Sequence, residues 1–377
     1  MELYSAHSQW SSRPADERFR TLNDLHGNVA ARDNASRDGH IDLTQCNLTI
    51  AGARAAQDIL LVGKTSQAKL TNWSANQLAQ RLGVPLVLLP KLEPTVAQAV
   101  LNDRLPKAIA DGSLNRRQRV LIADGTLRAF HSDRYERLWD KQVTQTLLEY
   151  LPRGWRNPVA FEGGKWGASL VPSGLYAGDR DMFAFFVDGG DWTDKPVGTF
   201  DVDGDGFNRG FFVWNSEVGA KTFGWTSFMF RVVCGNNIVW GAKDATVTRA
   251  RHIGNANDTL RGFRRFLEVL NEQPSPDLFA QAVREAKATI VCSISAKRDE
   301  TLELAFASKL KSKFTQTDIA LALDKGIVEA EQERRPVDGS RWFWLQGLTA
   351  VARGKDNADD KAKLEQDASD LLLAVKR

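Results

Sequence analysis

The order of two sequence patterns constrains the fold of this chain more than any single motif does. From about residue 159 to residue 247 the pattern is strand-like, with aromatic runs such as Phe183–Gly190 and Phe223–Arg231 separated by glycines. From residue 257 to the end, apolar residues recur at helical spacing. Strands followed by helices, without alternation between them, indicate an α+β fold. We expect a largely antiparallel, aromatic-rich sheet with flanking helices and a helical C-terminal part.

The chain is predicted to have three parts. Residues 1–110 form a mixed N-terminal segment with irregular structure, a few strands and two short helices. Residues 111–255 form an antiparallel sheet core with one long helix, and residues 256–377 form the helical part. The two short helices are indicated by capping-box pairs and by the glycine and prolines that end them, namely Ser74 with Gln77, Gly83 and Pro85, and then Thr95 with Gln98 and Pro106.

A hairpin and a helix begin the predicted sheet core. Asp124-Gly125 is a turn signal between two apolar runs, so residues 119–130 are predicted to form a β-hairpin. The next helix is predicted to begin near Arg134 and to turn one stripe of side chains toward the core. That stripe consists of Tyr135, Leu138, Trp139, Val143, Leu147 and Tyr150. Because Trp139 lies in its middle, replacing it with alanine is expected to cost about 3–5 kcal/mol.

The helical C-terminal part is expected to contain several separate helices. The first is predicted to turn apolar side chains inward at Leu260, Phe263, Leu267 and Leu270. Later helices are predicted around Leu302–Leu310, Asp318–Leu323, Arg341–Ala352 and Ala358–Val375.

Composition and hydropathy exclude several classes of protein. No stretch approaches the roughly 18 continuous apolar residues that a membrane helix needs. The sequence also begins without the basic and apolar segments of a secretory signal. Cys46, Cys234 and Cys292 are odd in number and lack ligand spacing, so they indicate neither a disulfide framework nor a zinc site. We therefore predict a cytoplasmic protein with no membrane association and no cofactor.

Three motifs that suggest other functions fail at a required position. Gly63-Lys64-Thr65 resembles the end of a phosphate-binding loop, but Asp58 stands where that loop needs a glycine. Leu78–Pro85 resembles the start of a helix-turn-helix, but two prolines interrupt the segment where the recognition helix would lie. His131 and Asp133 are interpreted as caps of the helix that follows them, because no nucleophile motif accompanies them.

Residues 201–206, Asp-Val-Asp-Gly-Asp-Gly, resemble the first half of a calcium-binding loop. The last position of such a loop needs a bidentate glutamate, and Phe212 stands there. A polar hairpin turn is therefore the preferred interpretation. The alternative is a metal-dependent, nuclease-like enzyme, with weak candidate ligands at Asp201, Asp203, Asp205 and Glu217.

Three segments resemble the domain-of-unknown-function 932 family, whose members are described as phage or plasmid proteins. They are Leu127–Asp140, Trp214–Gly241 and Ser340–Gly354, in the order that the family has. The middle one is the specific one, with an Asn-Ser-Glu-Val-Gly run followed by an arginine and Cys-Gly-Asn. The resemblance implies a mobile-element context rather than a particular chemistry. A helix, a hairpin and an aromatic sheet in that context also resemble phage single-strand annealing proteins.

Aromatic residues interleaved with arginines give the main functional signal in the sequence. Binding of single strands needs a stacking surface for bases and a basic track for phosphates. The predicted phosphate contacts are Arg231, Lys243, Arg249, Arg251, Arg261, Arg264 and Arg265, and the predicted stacking residues are Trp225 and Trp240. We therefore predict a mobile-element DNA-metabolism protein that binds single-stranded DNA. Strand annealing by a homo-oligomer is an extension of that prediction.

Other interpretations of the same residues stay open. A buried sheet beside a solvated basic helix would account for them without any binding function. A protein-binding factor that acts against a host defence is another functional class, for which the sequence offers no test. Glu217 separates the metal-enzyme and DNA-binding predictions. As a metal ligand, its loss would abolish activity and leave the fold intact, whereas in a binding protein it would be structural.

Overall fold

The computed structural model describes residues 13–51, 59–64, 67–161, 170–172, 174–188, 200–231, 239–240, 248–250, 252–270 and 276–353, with Leu364, Asp367 and Ala368. The α-helices are α1 (Leu22–Ala35), α2 (Asn72–Leu82), α3 (Pro94–Ala110), α4 (Asp140–Tyr150), α5 (Ala256–Glu268), α6 (Pro276–Ala288), α7 (Arg298–Ala307), α8 (Gln316–Gln332) and α9 (Arg341–Arg353). Short 3-10 helices lie at Ala15–Glu17, Leu43–Gln45, Leu86–Lys91 and Lys309–Ser312.

The strands are short except at the centre of the molecule. They are β1 (Arg18–Phe19), β2 (Ser36–Asp42), β3 (Asn47–Ile50), β4 (Ile59–Val62), β5 (Gln67–Leu70), β6 (Arg117–Ala123), β7 (Thr126–His131), β8 (Trp155–Arg156), β9 (Val159–Phe161), β10 (Leu170–Pro172), β11 (Leu175–Ala177), β12 (Met182–Asp188), β13 (Phe200–Val202), β14 (Asp205–Asn215), β15 (Phe223–Arg231), β16 (Val239–Trp240) and β17 (Thr248–Ala250).

These strands form two main sheets and one separate pair, β9 with β10. The first sheet has the order β2-β6-β7-β5-β4-β3, in which β5 and β7 are parallel and the other neighbours are antiparallel. The second has the order β1-β11-β12-β14-β15-β16, with β8, β13 and β17 attached to β12, β14 and β15. Its pairings are antiparallel. The predicted α+β fold with a largely antiparallel, aromatic-rich sheet and a helical C-terminal part is confirmed.

The predicted hairpin belongs to the first sheet. Asp124 and Gly125 both have positive φ, 46° and 73°, as a tight two-residue turn between strands requires. The strands that this turn joins pair with β2 and β5, so the first sheet contains residues on both sides of the predicted division at residue 110. The first 70 residues also contain α1, which was not predicted. Only Leu25 and Val29 of α1 are buried, so its sequence carries little helical periodicity.

Two predicted helices lie near their expected positions, with different ends. Thr71 rather than Ser74 caps α2, because the Thr71 hydroxyl accepts from the backbone N–H of Ser74 at 3.2 Å. Gly83 ends α2 in the left-handed conformation, as predicted. A 3-10 turn follows instead of a recognition helix. Pro106 lies inside α3 rather than ending it, and Leu105 and Ala108 on either side of it are buried.

The helix expected from Arg134 begins later, at Asp140. Residues 132–139 form an irregular segment, in which the Tyr135 ring stacks on His131 with 4.0 Å between ring centroids. The predicted cap at His131 and Asp133 was therefore wrong. Trp139 is the N-cap residue of α4 and is only half-buried, so it is not the core residue that the stripe predicted.

Helices cover one face of the second sheet. The α1, α4 and α5 helices pack on that face and bury aromatic rings of the central strands, including Phe186, Phe211 and Trp225. On α5, Phe263 and Leu267 are buried, which confirms the predicted inward face. This packing fixes α5 on the sheet and leaves its opposite face to the solvent.

The C-terminal helices form a separate core. The predicted helices at Leu302–Leu310, Asp318–Leu323 and Arg341–Ala352 correspond to α7, α8 and α9, and α6 precedes them. The predicted segment Ala358–Val375 lies outside the described residues apart from three positions, of which Leu364 and Ala368 are buried. Asp58 and Thr65 of the rejected phosphate-loop motif also lie outside them. None of the described helices is long and apolar enough to cross a membrane.

We predict opposite effects for two glycine-to-alanine changes inside helices. A Cβ on Gly347 would lie 2.1 Å from the Ala322 carbonyl oxygen of α8, so Gly347→Ala should destabilise the protein by about 1–3 kcal/mol. A Cβ on Gly27 of α1 would meet no atom of the described part of the chain within 4 Å. Gly27→Ala should therefore stabilise by about 0.5–1 kcal/mol, the usual difference in helix propensity. Urea denaturation measures both, and stabilisation by both changes would contradict the close packing of α8 on α9.

Candidate functional site

Glu217 lies in a buried group of charged side chains between the two sheets. It follows the end of β14 and is 1% exposed. Its carboxylate accepts a hydrogen bond from Arg128 of β7 at 2.9 Å and lies 3.4 Å from Nε of Arg32 on α1. The backbone N–H of Asp140, at the start of α4, donates to its other oxygen at 3.1 Å. We call Arg32, Arg128, Asp140 and Glu217 the buried charge cluster.

Asp140 is the second carboxylate of this cluster. Its Oδ2 accepts from Arg32 at 2.6 Å, and its Oδ1 accepts from the Asn215 amide at 2.8 Å. The same amide donates to the Leu138 carbonyl oxygen at 2.8 Å. Two guanidinium groups thus face two carboxylates. This balance matters because a buried charge without a partner costs several kcal/mol.

Two side chains from the segment before α4 hold the backbone around Glu217. Arg137 donates to the Glu217 carbonyl oxygen and, at 3.1 Å, to Asp38 of β2. The Tyr135 hydroxyl lies 3.1 Å from the carbonyl oxygens of Ser216 and Glu217 and can donate to either. These contacts place residues 215–217 against β2 and β7 of the first sheet.

Burial shifts the pKa values of two groups here in directions that favour their neutral forms. Complete burial, and then the nearby Glu217 carboxylate, raise the pKa of Asp140 to about 7, although Arg32 acts in the opposite direction. Burial, and then the positive charge of Arg137, lower the pKa of His131 to about 3. Arg137 donates to Nε2 of His131 at 3.2 Å, which requires that nitrogen to be unprotonated.

The buried charge cluster has the geometry of a structural ion-pair network. Paired carboxylates with a raised pKa also occur in acid–base catalysis. However, Asp140 and Glu217 are each only 1% exposed, and guanidinium or amide groups occupy their oxygens. A substrate therefore has no access to these oxygens in this conformation. Their contacts instead connect α1, β7, α4 and the end of β14.

The aspartates at residues 201–205 do not join Glu217 in one site. Asp205 begins β14 and Glu217 follows its end, so the strand separates them by about 30 Å at about 3.3 Å per residue. Asp201 accepts from the Gly204 N–H at 3.0 Å, and Asp203 is exposed with φ 53°. These residues form the hairpin turn that was the preferred interpretation. Among the described residues, no three His, Cys, Asp or Glu side chains come together to hold a metal.

Three of the predicted phosphate contacts lie together on α5. All three are exposed; Arg261 and Arg265 lie on the face opposite Phe263 and Leu267, and Arg264 lies at the edge of that face. Arg261 pairs with Asp258 at 3.3 Å, and Arg264 pairs with Glu268 at 3.0 Å. The Arg264 guanidinium also lies over the Tyr150 ring, 4.1 Å from its centroid.

Trp225, one of the two predicted stacking residues, is buried. It is 6% exposed, and its ring lies 5.2 Å from that of Phe263 and 5.4 Å from that of Phe223. Alternation along β15 turns Phe223 and Trp225 to the face that α5 covers. The Trp225 ring still borders a cleft of about 330 Å³ between α5, β15 and β17. That cleft is lined by Trp225, Ser227, Thr248, Gly262, Arg265, Phe266 and Val269.

The other predicted binding residues are only partly placed. Arg249 lies in β17 opposite Gly224, next to the cleft. Arg231 ends β15 opposite Phe207, about 20 Å along the strand from Trp225 at about 3.3 Å per residue. Trp240 lies in β16 opposite Met229. The side chains of Arg231, Trp240 and Arg249, and all of Lys243 and Arg251, lie outside the described residues.

Sequence reasoning missed most of the buried charge cluster. Arg128 and Asp140 had one signal, since both lie in the segment Leu127–Asp140 that carries the family resemblance. Arg128 also stands inside an apolar strand run, where a charge needs a buried partner. Arg32 had no comparable signal, because its helix is polar along most of its length.

The fold is that of an α+β protein with an antiparallel aromatic sheet, a helical C-terminal part and buried charges that anchor β14. This geometry alone indicates no reaction. The family model described as "Domain of unknown function (DUF932)" matches residues 164–357, about half of the chain. The chain belongs to this family. The match includes Glu217 and α5, whereas Arg32, Arg128 and Asp140 precede it. No curated protein and no solved structure matches the chain.

We predict that Glu217→Gln destabilises the protein by about 3–5 kcal/mol, because it leaves buried guanidinium charge without its partner. Asp103→Asn is the matched control. It removes the same charge from an exposed pair with Lys107 on α3 (2.7 Å), where about 0–1 kcal/mol is expected. Urea denaturation followed by circular dichroism measures both changes. A Glu217→Gln protein of wild-type stability that has lost a metal-dependent nuclease activity would instead identify Glu217 as a ligand.

His131 should make stability depend on pH in acid. Its ordinary pKa of 6.5 falls to about 3 in the folded protein. Its contribution to the free energy of unfolding is therefore present above pH 6.5 and is lost as the pH falls toward 3. Asp140 acts in the opposite direction. Its pKa rises from 3.8 to about 7 in the folded protein. Its contribution to the free energy of unfolding is therefore present below pH 3.8 and is lost as the pH rises through 7.

A comparison of wild type with His131→Phe isolates the first effect, because Asp140 is present in both proteins. Phenylalanine keeps the ring stacked on Tyr135 but does not titrate. We expect the unfolding free energy of the wild type, measured relative to that of His131→Phe, to fall by about 2–3 kcal/mol from pH 6.5 to pH 4.5. The expected slope is about 1.4 kcal/mol per pH unit. A difference that does not change with pH would show that His131 titrates normally in the folded protein.

Proposed function

We propose that this protein binds single-stranded DNA through the exposed face of α5, as a DNA-metabolism protein of a phage or plasmid. The observation that carries the proposal is the row formed by Arg261, Arg264 and Arg265. Residues three and four positions apart lie on one side of a helix, so the three guanidinium groups can contact neighbouring phosphates. Guanidinium forms paired hydrogen bonds with phosphate oxygens, which favours such contacts.

The present partners of these arginines can be exchanged for phosphates at little cost. The pairs with Asp258 and Glu268 are local and exposed, and such pairs contribute about 0–1 kcal/mol. Arg265 has no ion-pair partner within the described residues. A strand that approaches this face therefore displaces weak contacts and gains charge-assisted ones.

The rigidity of α5 also favours binding. Phe263 and Leu267 are fully buried against the second sheet, so the helix is fixed before any ligand arrives. Arg264 is further ordered by its position over the Tyr150 ring. A helix fixed in advance and an ordered Arg264 side chain lower the entropic cost of binding.

A cytoplasmic location and strand annealing by a homo-oligomer belong to the same proposal. Mass photometry with and without a single-stranded oligonucleotide tests the second part. A protein that stays monomeric under both conditions would contradict annealing by a homo-oligomer, and binding by the monomer would remain as the proposal.

We expect the double change Arg261→Ala and Arg265→Ala to weaken binding of all single strands alike. The slope of log affinity against log salt should fall by about one to two units, at about 0.7 per lost phosphate contact. The fold should survive, because both side chains are exposed. Fluorescence anisotropy with a labelled oligonucleotide at several salt concentrations measures affinity and slope together.

The matched control changes Lys297 and Arg298 to alanine. It removes the same charge from exposed pairs at the start of α7, with Glu300 and Asp324. Its affinity and salt slope should match those of the wild type. Equal losses in both double variants would indicate a general charge effect rather than an α5 interface. Failure of the wild type to bind any single strand at low salt would end the proposal.

A further inference from the structure

The cleft beside Arg265 has the size and lining of a small aromatic-ligand site, and we infer that it receives one unstacked base of the bound strand. This inference rests on the proposed function, since a base reaches the cleft only when its backbone lies on α5. The volume of about 330 Å³ is at the lower end of the roughly 300–1,000 Å³ typical of small-molecule sites. A site of this size suits a single base rather than a larger ligand.

Two aromatic rings provide the apolar wall of the cleft. Trp225 and Phe266 have ring centroids 6.0 Å apart at an interplanar angle of 41°, and both line the opening. Every base has a π face that can stack on such a ring. Trp225 therefore stacks on a base inside the cleft, which is the role that the sequence predicted for it.

The polar groups around the cleft fit a nucleotide. Arg265 lies at the cleft on the exposed face of α5, where it can hold the phosphate next to an inserted base. The hydroxyl groups of Ser227 and Thr248 also line the cleft. Neither hydroxyl bonds to another side chain or backbone group within the described part of the chain. A hydroxyl both donates and accepts, so these two can bind the edge of any base with weak preference.

Gly262 is a second, independent indication that the cleft must stay open. Glycine inside a helix costs about 1 kcal/mol relative to alanine, so an interior glycine usually has a steric reason. The described residues show no such reason, because the nearest of them to an added Cβ is the Trp225 ring, at an ordinary 3.6 Å. The missing side chain leaves space beside the Trp225 ring.

The test compares two changes at Gly262. Gly262→Leu fills the cleft and removes no arginine, whereas Gly262→Ala adds one carbon and is the intermediate case. We expect Gly262→Leu to lower affinity for an oligo(dT) strand by roughly 10-fold, the effect of losing one stacked base, with an unchanged salt slope. Gly262→Ala should lower the affinity less than Gly262→Leu does, because its single carbon fills less of the cleft. Wild-type affinity in the folded Gly262→Leu protein would overturn the inference.

A second measurement needs only the wild type and stays decisive if Gly262→Leu fails to fold. It compares oligo(dT) with a strand of equal length in which every base is absent. The inference predicts weaker binding of the abasic strand with the same salt slope. Equal affinity for both strands would overturn the base site while leaving the arginine interface in place. No binding of either strand would overturn the proposed function and the base site together.

Discussion

The pairing of two buried carboxylates with two buried arginines is the interaction on which the rest of the structure depends. Arg32 and Arg128 approach from α1 and β7, and Asp140 and Glu217 from α4 and the end of β14. Each charge would be costly alone in this apolar setting, so the elements that carry the four residues are stable only when assembled together. The cluster thereby couples the N-terminal sheet to the aromatic sheet.

The same coupling positions the proposed DNA-binding face, although none of the four charged residues belongs to it. The cluster anchors the end of β14, and Val213 near that end pairs with Trp225 of β15. The Trp225 ring in turn packs against Phe263 of α5. The arginines on the outer face of α5 are thus held by a continuous chain of packed groups. A rigid support of this kind is what a binding surface needs to keep several contacts in register.

Local patterns predicted the elements of this fold better than their assembly. The Asp124-Gly125 turn and the inward face of α5 were evident, because turn conformation and helical periodicity depend on neighbouring residues. The start of α4 and the whole of α1 were not evident from the sequence. At Trp139 the apolar stripe continued past the true helix start, since the preceding segment packs its aromatic rings without being helical. Of the candidate site, the α5 arginines and Glu217 were singled out from the sequence, and the other three members of the buried charge cluster were not.

The sequence by itself determined the α+β class, the strand-then-helix order and the amphipathic arginine helix, because each follows from residue spacing within one segment. Only the tertiary structure decided which residues meet. Glu217 could be assigned as a metal ligand or a structural residue until Arg128, 89 positions earlier in the chain, was found beside it. Gly27, Gly262 and Gly347 are all helical glycines, yet one faces solvent, one a cleft and one a backbone carbonyl. Those differences arise from distant segments, which no local pattern records.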